Sequence, residues 1–177
     1  ISNIIIEAHY LDITNEKLQK VKQLLLSKNV TIELGMETAC QKYQDYIIMK
    51  QIDMQKFEAV IINIQSHEFS VDVNILFGLP FLSEKEQLLD TKNAISWAFE
   101  HNCNAVLFPI NVKPYTLLMN MYENGYYKPV SHWQLLLLLD EIEPEQLSRI
   151  TISYYGNREE NFYDKNHRAI LPECCPI

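Results

Sequence analysis

The sequence predicts an α/β fold of mostly parallel strands joined by helices, and three observations predict it. Apolar runs of strand length alternate with helix-length amphipathic stretches along the 177 residues, the alternation of βαβ units. The run Val71–Phe77, VDVNILF, is nearly continuous in apolar residues, as expected of a strand covered on both faces. That run stops at Gly78 and Pro80, and Ser83 with Glu86 then has the form of a capping box that opens a helix. In parallel-strand folds ligands sit at the carboxyl ends of strands, where this Gly-x-Pro turn lies.

The remaining elements repeat that unit. Ile4–Ala8 is a short apolar strand that carries Glu7. Thr14 caps a helix to about Ser27 with Leu18, Val21, Leu24 and Leu25 on one face. Thr31–Glu37 is the second strand. Residues 38–49 read as helical with a rough period, because Tyr43, Tyr46 and Ile47 interrupt it. Asp53 caps a helix with Phe57, Val60, Ile61 and Ile64 inward. A long helix runs from Ser83 to about His101, with Leu88, Leu89, Ile95, Trp97, Ala98 and Phe99 on or near its inward face. Ala105–Ile110 is the fourth strand, ended by Pro109, since proline cannot join a central ladder. Residues 114–124 form a helix with proline at its start and Gly125 at its end. Ser131–Glu141 is another helix, and Arg149–Tyr155 is a fifth strand. Residues 1–155 read as one domain and 156–177 as a polar tail. Pattern leaves open an arc of a (β/α) barrel and a doubly wound sheet, which would reverse its strand order in mid-sheet.

Composition bounds the function. The chain has a formal charge of −8, which argues against nucleic-acid binding by this piece alone, because phosphate recognition needs a basic surface. No apolar run is long enough to span a bilayer. No secretory leader is expected from these residues, and the four cysteines, Cys40, Cys103, Cys174 and Cys175, are spaced unlike a secreted disulfide framework, so a cytoplasmic setting is expected. The chain begins at Ile1 rather than Met, which suggests a fragment or processed form. The five histidines show no metal-ligand spacing, and Cys174–Cys175 is too close-set for a Cys-x-x-Cys knuckle, so no metal site is expected. Phosphate-binding loops, dinucleotide turns and nucleophile elbows are absent.

The polar residues at strand ends are the candidates: Glu7, Glu33, Glu37, Asn74 and Asn111. A carboxylate there often only caps a helix, but several on one rim suit hydroxyl recognition: carboxylates accept from a sugar diol, and an amide both donates and accepts. Tyr115, Tyr122, Tyr126, Tyr127 and Trp133 form an aromatic group whose first expected role is packing and whose second is stacking on a planar ligand.

Three segments in order, Glu33–Thr38 (ELGMET), Asn74–Pro80 (NILFGLP) and Phe108–Thr116 (FPINVKPYT), resemble the second half of a radical S-adenosylmethionine (SAM) enzyme. The likeness is to the branch of the elongator catalytic subunit and the archaeosine-synthase type of tRNA-modifying protein, and Tyr122–Trp133, YENGYYKPVSHW, adds to it. The resemblance covers about residues 1–142. It implies a partial (β/α) barrel of which this chain supplies roughly the last three to four βα units. It also implies SAM and a [4Fe–4S] cluster as cofactors. The family's Cys-x-x-x-Cys-x-x-Cys loop is missing here, so the cluster ligands are not in this chain, and the chain alone is not expected to be active. Carried over by position, Glu37 would stand beside the SAM ribose and Asn74 would replace a ribose-binding Asp. Lys50 would meet the methionine carboxylate, Gly78 and Pro80 would let backbone approach the adenine, and Pro109 and Asn111 would line the next strand end. The implied substrate is tRNA or a small molecule; catalytic residues are not assigned. The alternative is a truncated, non-catalytic half-barrel acting as a binding module. In either case the uncovered edge of a half-barrel would favour a homodimer.

Overall fold

The computed structural model describes residues 2–153; the expected tail and the end of the fifth strand, from Tyr154 on, lie outside the described residues. Five parallel strands form one sheet in the order β1-β2-β3-β4-β5. The strands are β1 (Asn3–Ala8), β2 (Asn29–Glu37), β3 (Ser70–Phe77), β4 (Asn104–Pro109) and β5 (Ile150–Ile152). Spatial order equals sequence order, so the sheet has no switch point. That is the order of a (β/α)-barrel arc, and it excludes the doubly wound alternative.

Helices connect the strands: α1 (Asn15–Leu24), α2 (Gln41–Tyr43), α3 (Met54–Ser66), α4 (Glu84–Glu100), α5 (Leu117–Glu123), α6 (His132–Asp140) and α7 (Pro144–Leu147). Several begin where a side chain can satisfy the free amides of a first turn. Thr14 Oγ1 accepts from Lys17 N at 3.3 Å, and Asp53 accepts from Gln55 N and Lys56 N at 3.1 and 3.2 Å. Ser83 and Glu86 make their capping box, with Ser83 N donating to Glu86 Oε2 at 2.8 Å. Ser131 and Gln134 make another.

Some expected boundaries and faces move. The first helix ends at Leu24, and Leu24 is 81% exposed; the helical period stops there, so its position no longer falls on the inner face. Leu89 also points to solvent. Residues 38–49 form only a short α2 followed by a wide turn, Gln44–Ile48, with i→i+5 hydrogen bonding. The fifth helix starts at Leu117 rather than Pro114, because Thr116 rather than proline supplies the cap. The short helix α7 carried no clear periodic signal.

The chain divides into two compact units: Ile1–Ile75 with Asn93–Val106, and Leu76–Lys92 with residues from Leu107 on. In the first, parallel registry places Ile6, Ile32 and Val71 side by side, with Ala8, Leu34 and Val73 in the next row. Residues aligned in this way share one face, and Ile32, Leu34, Val71 and Val73 are buried together with Phe57, Ile61 and Ile64 of α3. Burying each large aliphatic side chain stabilises by about 1.5–3 kcal/mol, so this face anchors the unit. His101 closes it: its ring stacks on Trp97 with centroids 3.9 Å apart, and Gln65 Nε2 donates to its carbonyl at 2.8 Å. In the second unit Val112, Met121 and Tyr127 form a core.

Candidate functional site

The site in the first unit is built at the end of β2. Registry with β3 runs from Gly35 opposite Asn74 to Glu37 opposite Ile75, so one residue is bulged out at Met36. Bulges re-aim side chains near sites. Here the strand ends on Glu37 with φ +70°, a left-handed conformation that costs a non-glycine residue energy and marks a constrained position. Glu37 is buried (8% exposed), and its carboxylate pairs with the ammonium of Lys50. Lys50 sits between Met49 and Gln51, both also at positive φ.

Gln44 holds this arrangement, and the sequence offered no strong signal for it. It opens the wide turn after α2 and is fully buried. Its Nε2 donates to Met36 O and to Thr38 O, the latter at 2.7 Å, so one amide grips the carbonyls on either side of Glu37. Wide helical turns of this kind recur at functional sites.

Gly35 provides the room. A Cβ there would lie 2.9 Å from Glu37 Oε1 and 3.4 Å from Lys50 Nζ. The head groups therefore lie over the glycine, on the face its side chain would have occupied. Asn74 is registered with Gly35 on the neighbouring strand, so its side chain leaves the sheet on that same face. It is 8% exposed, and its Oδ1 is buried with no hydrogen-bond partner among the described residues. A buried amide oxygen left unsatisfied costs free energy unless something donates to it. Glu37, Lys50 and Asn74 thus gather as an acceptor, a cation and an unsatisfied amide, a set suited to a ligand carrying hydroxyls and a carboxylate. Glu7 and Glu33 are registered with each other one position pair earlier on that face.

The other expected site residues belong to the second unit. Gly78 has φ +99°, and its carbonyl accepts from Tyr127 Oη at 2.8 Å. A Cβ on Gly78 would meet Val130 at 2.8 Å, so the space left by the missing side chain is filled by the chain itself. Pro80 and Asn111 are half-buried, and Pro109 is buried at the end of β4. Ile110 N donates to Phe77 O at 2.9 Å. Burial raises the Tyr127 phenol well above its ordinary pKa. Of the aromatic group, Tyr127 packs inward, whereas Tyr115 and Tyr126 are exposed.

The buried Asn74 Oδ1 is an acceptor of the kind that suits a hydroxyl donor, such as that of a ribose. The described residues do not fit a cluster: no group of three Cys, His, Asp or Glu among them could hold a metal ion, and Cys40 and Cys103 form no disulfide. Cys174 and Cys175 lie outside the described residues. No helix among the described residues is long and apolar enough to cross a membrane.

No family model matches the chain. It is similar to archaeosine synthase subunit beta of Methanosarcina acetivorans, with 24% identity over 139 residues, 78% of this chain and 40% of that protein. An uncharacterized protein of Methanocaldococcus jannaschii is 22% identical over 98% of this chain and 49% of its own. The chain therefore spans less than half the length of these curated relatives. Among solved structures it is similar to Elp3 of Methanocaldococcus infernus, with a TM-score of 0.62 at 16% identity, over 86% of this chain and 35% of that one. It is also similar to TsrM, a radical S-adenosylmethionine methyltransferase of Kitasatospora setae, with a TM-score of 0.63 at 10% identity, over 86% and 38%. The fold is that of part of a radical SAM barrel.

Proposed function

We propose that this chain is the carboxyl-terminal part of a radical SAM catalytic domain. In this reading it holds the SAM nucleoside and lines the substrate pocket of an enzyme that modifies tRNA or a small molecule. The observation that carries the reading is the buried, unpartnered Oδ1 of Asn74 across from Gly35, where the Glu37–Lys50 pair lies. Asn74 accepts from one ribose hydroxyl and Glu37 from the diol, while Lys50 turns toward the methionine carboxylate. When bound, SAM supplies the radical chemistry; this chain binds, orients and excludes water, and the cluster ligands come from outside its described residues.

The test is calorimetric titration of the chain with S-adenosylhomocysteine, with free adenine as the control lacking ribose. Binding of the first alone, weakened about tenfold by Asn74→Ala and by Glu37→Ala, supports the reading; about 1.4 kcal/mol corresponds to that factor. Binding indifferent to both substitutions, or no binding, overturns it. The intact mass of the polypeptide captured from its source cells then tells whether it is longer than this chain, and sequencing of any added segment tells whether it carries the closely spaced cysteines that a cluster needs.

A further inference from the structure

The second unit holds a cavity of about 490 Å³. Phe81, Ser83 and Glu84 line it from the loop after β3 and the start of α4, and Tyr126, Tyr127 and Lys128 line it from the segment between α5 and α6. Its walls are tied together: Tyr127 Oη donates to Gly78 O, and Val130 packs against the open side of Gly78. Phe81 and Tyr126, by contrast, are 68% and 79% exposed.

Phe81 is the informative residue. Its backbone is left-handed, φ +66°, which glycine adopts freely and a bulky side chain does not. The chain nonetheless holds a largely exposed aromatic ring on a left-handed backbone, and such strain gathers at ligand clamps. Phe81 and Tyr126 line one cavity, and the cationic Lys128 lines it with them. Aromatic faces stack on any nucleobase, and a lysine meets a phosphate as a point charge.

We propose that this cavity binds a nucleobase stacked on Phe81 and Tyr126, with Lys128 at its phosphate. It shares no residue with the Glu37–Asn74 site and does not rest on the reading of that site.

The test is titration of the full chain with AMP, with ribose 5-phosphate, and with a fluorescein-labelled single-stranded RNA nonamer. AMP binding should weaken about tenfold in Phe81→Gly and in Tyr126→Ala, within the range seen for stacked bases, and survive in Tyr126→Phe and Glu37→Ala. Phe81→Gly should also raise the melting temperature by about 1–3 °C, because it removes left-handed strain. Tighter binding of the RNA, weakened by the same substitutions, identifies the base as one in an RNA strand; AMP binding alone identifies a free nucleotide. The proposal is overturned if ribose 5-phosphate binds as well as AMP, or if nothing binds. It is also overturned if AMP binding is lost in Glu37→Ala and unchanged in the Phe81 and Tyr126 variants.

Discussion

Replacing Tyr127 by phenylalanine separates one buried hydrogen bond from the packing around it. The ring is 6% exposed and belongs to the core with Val112 and Met121, so phenylalanine fills nearly the same volume. What is lost is the bond from Tyr127 Oη to the carbonyl of buried Gly78. Leaving a buried acceptor unpaired costs about 1–3 kcal/mol, and 2 kcal/mol would lower the melting temperature by about 4–8 °C for a chain of this size. Urea unfolding at pH 7, followed by tyrosine and tryptophan fluorescence, measures the difference. A second signature lies at alkaline pH. Burial raises the folded phenol above its unfolded value of about 10. Above that pH the unfolded chain has released this proton and the folded chain has not, so folding stability falls as pH rises. The limiting slope is about 1.4 kcal/mol per pH unit for one group. The phenylalanine variant lacks that contribution and should show a shallower alkaline decline. Equal stability at pH 7 together with an unchanged alkaline slope would refute the assignment of this bond and its burial.

Other substitutions probe the first unit. Gly35→Ala puts a Cβ 2.9 Å from Glu37 Oε1, so the carboxylate must move by about half an ångström to regain normal contact. Because Lys50 is half exposed and alanine suits a strand better than glycine, folding stability should change by less than about 1 kcal/mol, while nucleoside affinity falls; a large loss of stability would show that the pair cannot yield. Asn74→Leu removes the unpartnered buried oxygen and should raise stability by about 1 kcal/mol while weakening S-adenosylhomocysteine binding, and a destabilised protein would mean that Asn74 has a partner. The carboxyl of Asp53 is held below its ordinary 3.8 chiefly by the Lys56 amide. Its capping contribution is therefore present above that pH and lost as pH falls below it, and Asp53→Ala should flatten the acid limb of a helix-content titration by circular dichroism.

Local chemistry was legible in the sequence where it acts over one turn. Thr14, Asp53 and the Ser83–Glu86 pair were read as helix starts, and each caps through a neighbour within three residues. The apolar run at Val71–Phe77 was read as a buried strand because its composition excludes solvent on either face. The inward face assigned to Leu24 failed, and Leu89, placed on or near the inward face, points to solvent, because a helical period says where a side chain points around an axis and not where the helix stops or what covers it.

Sequence by itself determined the alternation of strands and helices, the residues that punctuate them, and the candidates Glu37, Lys50 and Asn74. Only the tertiary structure decided that the strands stand in sequence order, because registry between β1, β2 and β3 is set by long-range pairing. That registry places Asn74 beside Gly35. The bulge at the end of β2 turns Glu37 left-handed, and Gln44 holds the carbonyls on either side of it. None of these is encoded in spacing along the chain, since each depends on which backbone groups lie opposite one another once the strands have paired.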